Sequence, residues 1–250
     1  MKKRLMAAVL STAMAATMLL TGSISVQAAD AAAANDPAVE LIFTSVSVSG
    51  DSHTEAMYEF ADKVEELSGG SVTCKCYDNG SLFSSENEFD ALLNGDADLA
   101  YISFPTIATQ IPSYSMFASG YLFSSYEHMT SVLNGDIGLN KIRPQIEETL
   151  NIKPLSSFYL GSRVINTREK EINSYDDMNG LLLRMPNSEA WLFLGEALGA
   201  NPTPLSFSEL YTALQTGAVD AQDNPLPSIE SAKFYEVTKY IAITNHVVDS

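Results

Sequence analysis

Arg184 is the side chain whose type and position in the sequence most directly suggest binding chemistry. It follows the apolar run 181–183 and stands two residues before Pro186, so it falls at the end of a predicted buried strand. α/β proteins place their ligands at strand ends. A guanidinium stays charged, and its planar donors match both oxygens of a carboxylate. The position predicts a carboxylate clamp, although a structural ion pair with one of the 31 acidic residues explains the same spacing.

Cations are scarce in this chain, so few other residues compete for such a role. Arg163 opens a predicted strand after Gly161 and Ser162, and the same two interpretations apply to it. Residues 1–28 hold three of the 14 cations and none of the 31 acids, which leaves 11 against 31 once they are removed. This acidic balance repels phosphate backbones and argues against nucleic acid as a partner. Binding an anion therefore requires local cations at the site.

The common catalytic and metal-binding signatures do not occur in the sequence. It contains no G-x-S-x-G, no Gly-rich phosphate loop and no H-E-x-x-H. His53 begins a fragment of a zinc deaminase motif, but the P-C-x-x-C half is missing, so we interpret His53 as part of a helix cap. Cys74 and Cys76 are predicted to be two small buried side chains on one face of a strand. We expect no metal, no cofactor and no enzymatic activity; an exported hydrolase or lyase with an unrecognised site is the rival interpretation.

The N-terminal segment has the pattern of an export signal. A basic start at residues 2–4 is followed by a long uncharged apolar run and the small-residue sequence Val26-Gln27-Ala28. This pattern predicts a signal peptide at residues 1–28, a flexible lead-in at 29–38, and a mature protein that is soluble outside the cytoplasm.

Alternating strand and helix patterns predict an α/β protein. Strands are expected at 40–48, 71–77, 97–103, 152–160, 163–166, 181–185, 219–222 and 239–244. Asp51 is predicted to cap the first helix, and capping boxes are predicted at 85–88 and 206–209. The order favours mostly parallel sheets flanked by helices, with a first lobe at 39–160 and a second at 161–248.

An ordered set of motifs in the C-terminal half resembles the substrate-binding subunits of tripartite ATP-independent periplasmic (TRAP) transporters. These motifs are LRMP at 183–186, GANPTP at 199–204, SELYTALQTG at 208–217, VDAQDNP at 219–225 and KFYEV at 233–237. Weaker similarity covers 69–70, 95–99 and 161–163. The resemblance implies a two-lobed periplasmic-binding-protein fold that closes over a small organic acid and delivers it to an ion-gradient-driven membrane permease. A receptor for an ATP-driven importer is the alternative.

The resemblance also implies roles for individual residues. Arg184 matches the arginine that pairs with the substrate carboxylate, and Arg163 matches a second cationic contact. Asn224 matches an amide that hydrogen-bonds the ligand, and Phe207 matches an aromatic wall. Further candidates for lining the site are Asp223 and Trp191, the latter equally well explained as core packing.

Two departures from the family pattern modify these expectations. Ser103 and Thr106 stand where sialic-acid binders carry charged side chains, which disfavours sialic acid. Family members also continue beyond the segment that matches 244–246, so we expect an incomplete reading frame that lacks the family's C-terminal elements, with a shortened variant as the alternative. We expect the protein to act as a monomer.

Overall fold

A computed structural model describes residues 38–250. The predicted signal peptide (1–28) and nearly all of the lead-in (29–38) lie outside the described residues. Within residues 38–250, no helix combines the length and the apolar character needed to cross a membrane.

The described residues form an α/β structure of short strands and helices. The strands are β1 Val39–Thr44, β2 Val72–Tyr77, β3 Leu99–Ala100, β4 Gly161–Thr167, β5 Leu182–Met185, β6 Asn201–Pro204, β7 Ala221–Pro225, β8 Tyr240–Ala242 and β9 Val248–Asp249. The α-helices are α1 Ser52–Leu67, α2 Glu88–Asn94, α3 Phe104–Ile107, α4 Tyr126–Leu133, α5 Arg143–Leu150, α6 Glu189–Ala197, α7 Leu210–Thr216 and α8 Leu226–Ser231.

These strands form two sheets, in agreement with the predicted two-lobed α/β fold. The first sheet has the order β2-β1-β3, and both pairings are parallel. The second has the order β6-β5-β7-β4-β8, with β9 also paired to β4. Its β5–β6 and β5–β7 pairings are parallel, whereas β4 runs antiparallel to β7, β8 and β9. The second sheet is therefore mixed. The lobe boundaries 39–160 and 161–248 stay a prediction.

The first helix forms as its sequence indicates. Asp51 has an extended backbone, and its side chain accepts a hydrogen bond from the backbone N–H of His53, as an N-cap should. Met57 and Ala61, four residues apart, are both buried against the first sheet, because that spacing places them on one helical face. The predicted cap is confirmed.

The predicted strand at 152–160 is wrong, because that segment has no regular structure. The Asn134 side chain donates to the Ser157 carbonyl oxygen and accepts from its N–H, at 2.8 and 3.1 Å. Arg143 donates to the carbonyl oxygen of Leu155 at 3.0 Å. Side chains thus take up backbone groups that a sheet ladder would otherwise pair.

Strand β6 was not predicted, since its sequence is Asn-Pro-Thr-Pro. Proline lacks the N–H that a central strand needs, but it is compatible with an edge strand. β6 lies at the edge of the second sheet and, among residues 38–250, pairs only with β5.

The cysteine prediction holds in part. Cys74 and Cys76 lie on β2 as expected and are free thiols, but both are only half-buried. Burial, reinforced by the charges of neighbouring acidic groups, raises the pKa of Cys76 to about 11.

Candidate functional site

The centre of the second sheet is a strand of buried polar residues. β7 lies between β5 and β4, and Gln222, Asp223 and Asn224 are at most 5% exposed. Burying polar groups is unfavourable unless they are hydrogen-bonded. Asn224 donates to the Gln222 side-chain oxygen at 2.6 Å, and Gln222 donates to Asn166 on β4 at 3.0 Å. These amides hold one another in fixed orientations.

Arg163 on β4 is fully engaged by acidic partners. Its Nε donates to Asp223 at 2.7 Å, its Nη1 donates to Asp249 at 2.6 Å, and its Nη2 donates to Asp223 Oδ1 at 3.0 Å and to the Asn224 side-chain oxygen at 3.3 Å. His246 Nε2 lies 3.2 Å from Asp223 Oδ2. Burial by itself lowers the pKa of Arg163, but the charges of both aspartates outweigh it and raise that pKa above its ordinary value.

Arg184 on β5 is in a different situation. It is 1% exposed, and its one hydrogen bond to the described residues runs from Nε to the carbonyl oxygen of Leu205, at 2.7 Å. No acidic side chain of the described residues forms an ion pair with it. Burial lowers its pKa to about 10; the charge of Asp223 acts in the opposite direction and that of Arg163 in the same direction. Its two terminal nitrogens donate no hydrogen bond to the described residues, so they can donate to a bound anion.

The two arginines also contact aromatic rings. The Arg184 guanidinium carbon lies 5.9 Å from the centre of the Phe207 ring, and that of Arg163 lies 4.5 Å from the centre of the Trp191 ring. Both separations allow cation–π attraction. Trp191 is 1% exposed and belongs to the apolar core between α6 and the second sheet. Trp191 therefore both packs in the apolar core and contacts an arginine of the candidate site.

Ser85 and Ser206 do not form the predicted capping boxes. Ser206 donates from Oγ to Glu86 Oε2 at 2.7 Å, and Ser85 donates from Oγ to Glu86 Oε1 at 2.9 Å. The two serine oxygens lie 3.4 Å apart. Neither serine side chain caps its helix, and Asn87, the residue before α2, makes no side-chain cap hydrogen bond. The serines instead join the segment after β2 to the segment after β6.

A second link of the same kind joins α1 to α8. Asp51 uses one carboxylate oxygen for the helix cap and accepts a hydrogen bond at the other from Ser231 Oγ, at 3.2 Å. Apolar contacts also join the two parts, since Val248 on β9 packs in the same buried cluster as Phe89 and Phe104. The two serine links themselves are short polar contacts. Contacts of this type can be broken when two lobes separate.

The structure brings the six predicted site residues together around β4, β5 and β7. It separates the two interpretations of the arginines: Arg163 carries the structural ion pairs, and Arg184 carries none among the described residues. Asp223 serves as the counter-ion of Arg163, since its carboxylate is completely buried. Sequence reasoning missed Glu86, because its neighbours were assigned to a helix cap. Ligand contact by any of these residues stays a prediction.

The chain has two sheets flanked by helices. The second sheet contains a buried arginine and a polar strand, and polar contacts link it to the first part of the fold. This arrangement defines a protein of the periplasmic solute-binding class. The family model described as bacterial extracellular solute-binding protein, family 7 (DctP) matches residues 43–250. The chain belongs to this family.

Known relatives and solved structures agree with this assignment. The chain is 35% identical over 189 residues to the sialic acid-binding periplasmic protein SiaP of Vibrio cholerae, covering 76% of this chain and 58% of that protein. It matches a TRAP periplasmic solute-binding protein of Roseobacter denitrificans with bound 3-deoxy-D-manno-oct-2-ulosonic acid at 41% identity and a TM-score of 0.79, over 85% of this chain and 70% of that one. The galactonate complex of DctPAm from Advenella mimigardefordensis matches at 32% identity and a TM-score of 0.80, over 86% and 69%.

Proposed function

We propose that this protein is an extracytoplasmic solute-binding protein that captures a small organic acid by its carboxylate and delivers it to TRAP-type permease subunits. The observation that carries the proposal is Arg184, a buried cation with no acidic partner among the described residues. A bound carboxylate supplies the missing charge and accepts from both terminal nitrogens. The ligands bound in the two related structures, an octulosonic acid and galactonate, are carboxylic acids.

The other residues of the site have supporting roles in this proposal. Arg163 and Asp223 hold β4 and β7 in place, and the amide of Asn224 is fixed by hydrogen bonds to Gln222 and Arg163. Phe207 forms an apolar wall beside the Arg184 guanidinium. Because Arg184 is 1% exposed, a solute reaches it only when neighbouring groups move apart, and we assign part of this opening to the breaking of the Ser206–Glu86 contact. Binding and closure are thereby coupled, and no reaction of the solute takes place.

Location and partners follow from the same reasoning. The Vibrio cholerae relative is described as periplasmic, and the N-terminal pattern at 1–28 favours export. The acidic composition argues against nucleic acid, and a monomer is the simplest state for a receptor that docks to a membrane partner. The family match favours an ion-gradient-driven permease over an ATP-driven importer.

A thermal-shift panel of organic acids with purified protein tests the proposal. A bound acid at one hundred times its Kd stabilises the native state by about 2.7 kcal/mol, or roughly 5 to 11 °C for a chain of this size. Arg184→Ala should abolish the shift. Arg168→Ala, which changes the residue directly after β4 and therefore lies beyond the opposite end of that strand from Arg163, should preserve it. Equal shifts in Arg184→Ala and in the wild type would disprove the role of Arg184 as the carboxylate clamp. Turnover of a bound acid would disprove the assignment as a binding protein.

Transport itself needs a second assay. In liposomes that contain TRAP permease subunits, uptake of the bound acid should depend on this protein and on an ion gradient. Uptake that requires ATP instead would favour the other class of importer.

A further inference from the structure

Glu86 is an acidic side chain that lies close to the proposed clamp without pairing with it. Residues 205–207 connect the two groups: the Leu205 carbonyl oxygen accepts from Arg184, Ser206 donates to Glu86, and the Phe207 ring lies beside the guanidinium. The charge of Glu86 is near enough to raise the pKa of Arg184 and so to oppose the lowering by burial. No ion pair joins Glu86 to a cation of the described residues.

We propose that Glu86 makes the site selective for hydroxylated monocarboxylates, such as aldonic acids, and rejects dicarboxylates of the same length. The inference rests on the proposed function, because it concerns the far end of a solute whose carboxylate is held by Arg184.

The hydrogen bonds of Glu86 explain why it can bind hydroxyl groups of a solute. An ionised carboxylate only accepts hydrogen bonds and has about four acceptor positions. Ser85 and Ser206 occupy one position on each oxygen. Burial raises the pKa of Glu86, but hydrogen bonds from Ser206 and neighbouring serines outweigh this effect and lower it, so the group stays ionised at neutral pH. The remaining positions can accept from ligand hydroxyls.

The same charge explains why a second carboxylate is rejected. A carboxylate cannot donate to Glu86, and two like charges repel more strongly in a closed site than in water. A single unfavourable group of this kind is sufficient for discrimination between ligands that otherwise make the same contacts. A hydrogen bond to a charged acceptor contributes roughly ten- to hundredfold in affinity, and a hydroxylated monocarboxylate keeps that contribution.

A purely structural role for Glu86 is the competing explanation. In that case the Ser206–Glu86 hydrogen bond only joins the two segments, and Glu86→Gln changes the affinity for all acids by the same factor. The ratio of two affinities therefore separates the explanations, whereas the loss of binding to one acid does not.

The experiment compares acids that differ only at the end distant from the clamped carboxylate. D-galactonate and galactarate are six-carbon acids that end in a hydroxymethyl group or a second carboxylate. D-erythronate and meso-tartrate form the matching four-carbon pair and cover a shorter site. Calorimetric titration of the wild type should show the monocarboxylate of at least one pair binding about tenfold or more tightly than its partner.

In Glu86→Gln this preference should fall to within about threefold, mainly because the dicarboxylate gains affinity. Glu66→Gln, an exposed residue on α1, removes the same charge elsewhere and should keep the wild-type ratio. Melting curves of both variants establish that they are folded.

Two sets of outcomes overturn different conclusions. Equal binding of the two acids in each pair by the wild type, or a ratio unchanged in Glu86→Gln, would disprove the selectivity while the Arg184-dependent capture stands. The selectivity is also disproved, and the capture of acids by Arg184 stands, if other organic acids bind but neither D-galactonate nor D-erythronate does. If no organic acid binds at all, the proposed function fails and the selectivity with it.

Discussion

Replacing Asp223 by Asn removes the carboxylate that compensates the buried charge of Arg163. Asp223 is 0% exposed, accepts from Nε of Arg163 at 2.7 Å and from Nη2 at 3.0 Å, and lies 3.2 Å from His246 Nε2. Breaking one side of a buried ion pair typically costs about 3 to 5 kcal/mol. Because Asp249 still pairs with Arg163 at 2.6 Å, we expect a loss of about 2 to 3 kcal/mol in the free energy of unfolding.

This loss should have a recognisable dependence on pH. Burial alone raises the pKa of Asp223, but the charge of Arg163 and the hydrogen bonds of His246 and Arg163 outweigh it and hold the pKa well below its ordinary value. A carboxyl group with a lowered pKa in the folded state adds stability that is fully present above its unfolded pKa of about 3.9 and is lost as the pH falls through the folded value. The difference between wild type and Asp223→Asn should therefore be constant near neutral pH and shrink below about pH 4.

Urea denaturation between pH 7 and pH 3 measures this difference, and a melting curve at pH 7 should show a decrease of roughly 4 to 12 °C. Asp176→Asn, an exposed aspartate in the same lobe, is the matched control and should stay within about 0.5 kcal/mol of wild type. The reasoning is refuted if Asp223→Asn is as stable as the control, or if its deficit does not change as the pH falls to 3.

Three further substitutions test other features of the structure. Arg184→Met should change the unfolding free energy of the ligand-free protein, measured in urea, by less than about 1 kcal/mol. Removing a buried charge that has no ion pair stabilises the protein, and this offsets the loss of one hydrogen bond. Glu88 is buried, which raises its pKa to about 8, so the wild type should lose stability as the pH rises from about 4.5 to 8. Glu88→Gln should remove this dependence and gain at most about 5 kcal/mol at pH 9; equal pH profiles in urea would contradict the assignment. Gly161→Ala should cost more than about 2 kcal/mol, since φ is +142° and a Cβ would lie 2.4 Å from that of Pro225. Gly69→Ala, with φ +62° and nothing within 4 Å, should cost about half as much in the same denaturation assay.

The sequence contained enough to predict the strand that carries Arg184, the capped first helix and the ordered motifs of the family. These are local features: an apolar run stopped by Pro186, an aspartate before a helix, or residue types in a fixed order. Local physical preferences decide such features, so they can be recognised without the fold. The irregular segment 152–160 and strand β6 were not predicted correctly, because side chains distant in sequence and a position at the sheet edge determined them.

The tertiary structure decided which arginine is paired and which is not. Both occupy strand ends in a chain with 31 acidic residues, and spacing cannot select a partner among them. The acids that pair with Arg163 lie 60 and 86 residues further along the chain. Ser206 likewise finds Glu86 at a separation of 120 residues instead of capping its own helix. Side-chain partners so far apart in sequence are determined by which strands are neighbours in the sheet. That arrangement leaves Arg184 buried without an acidic partner among the described residues.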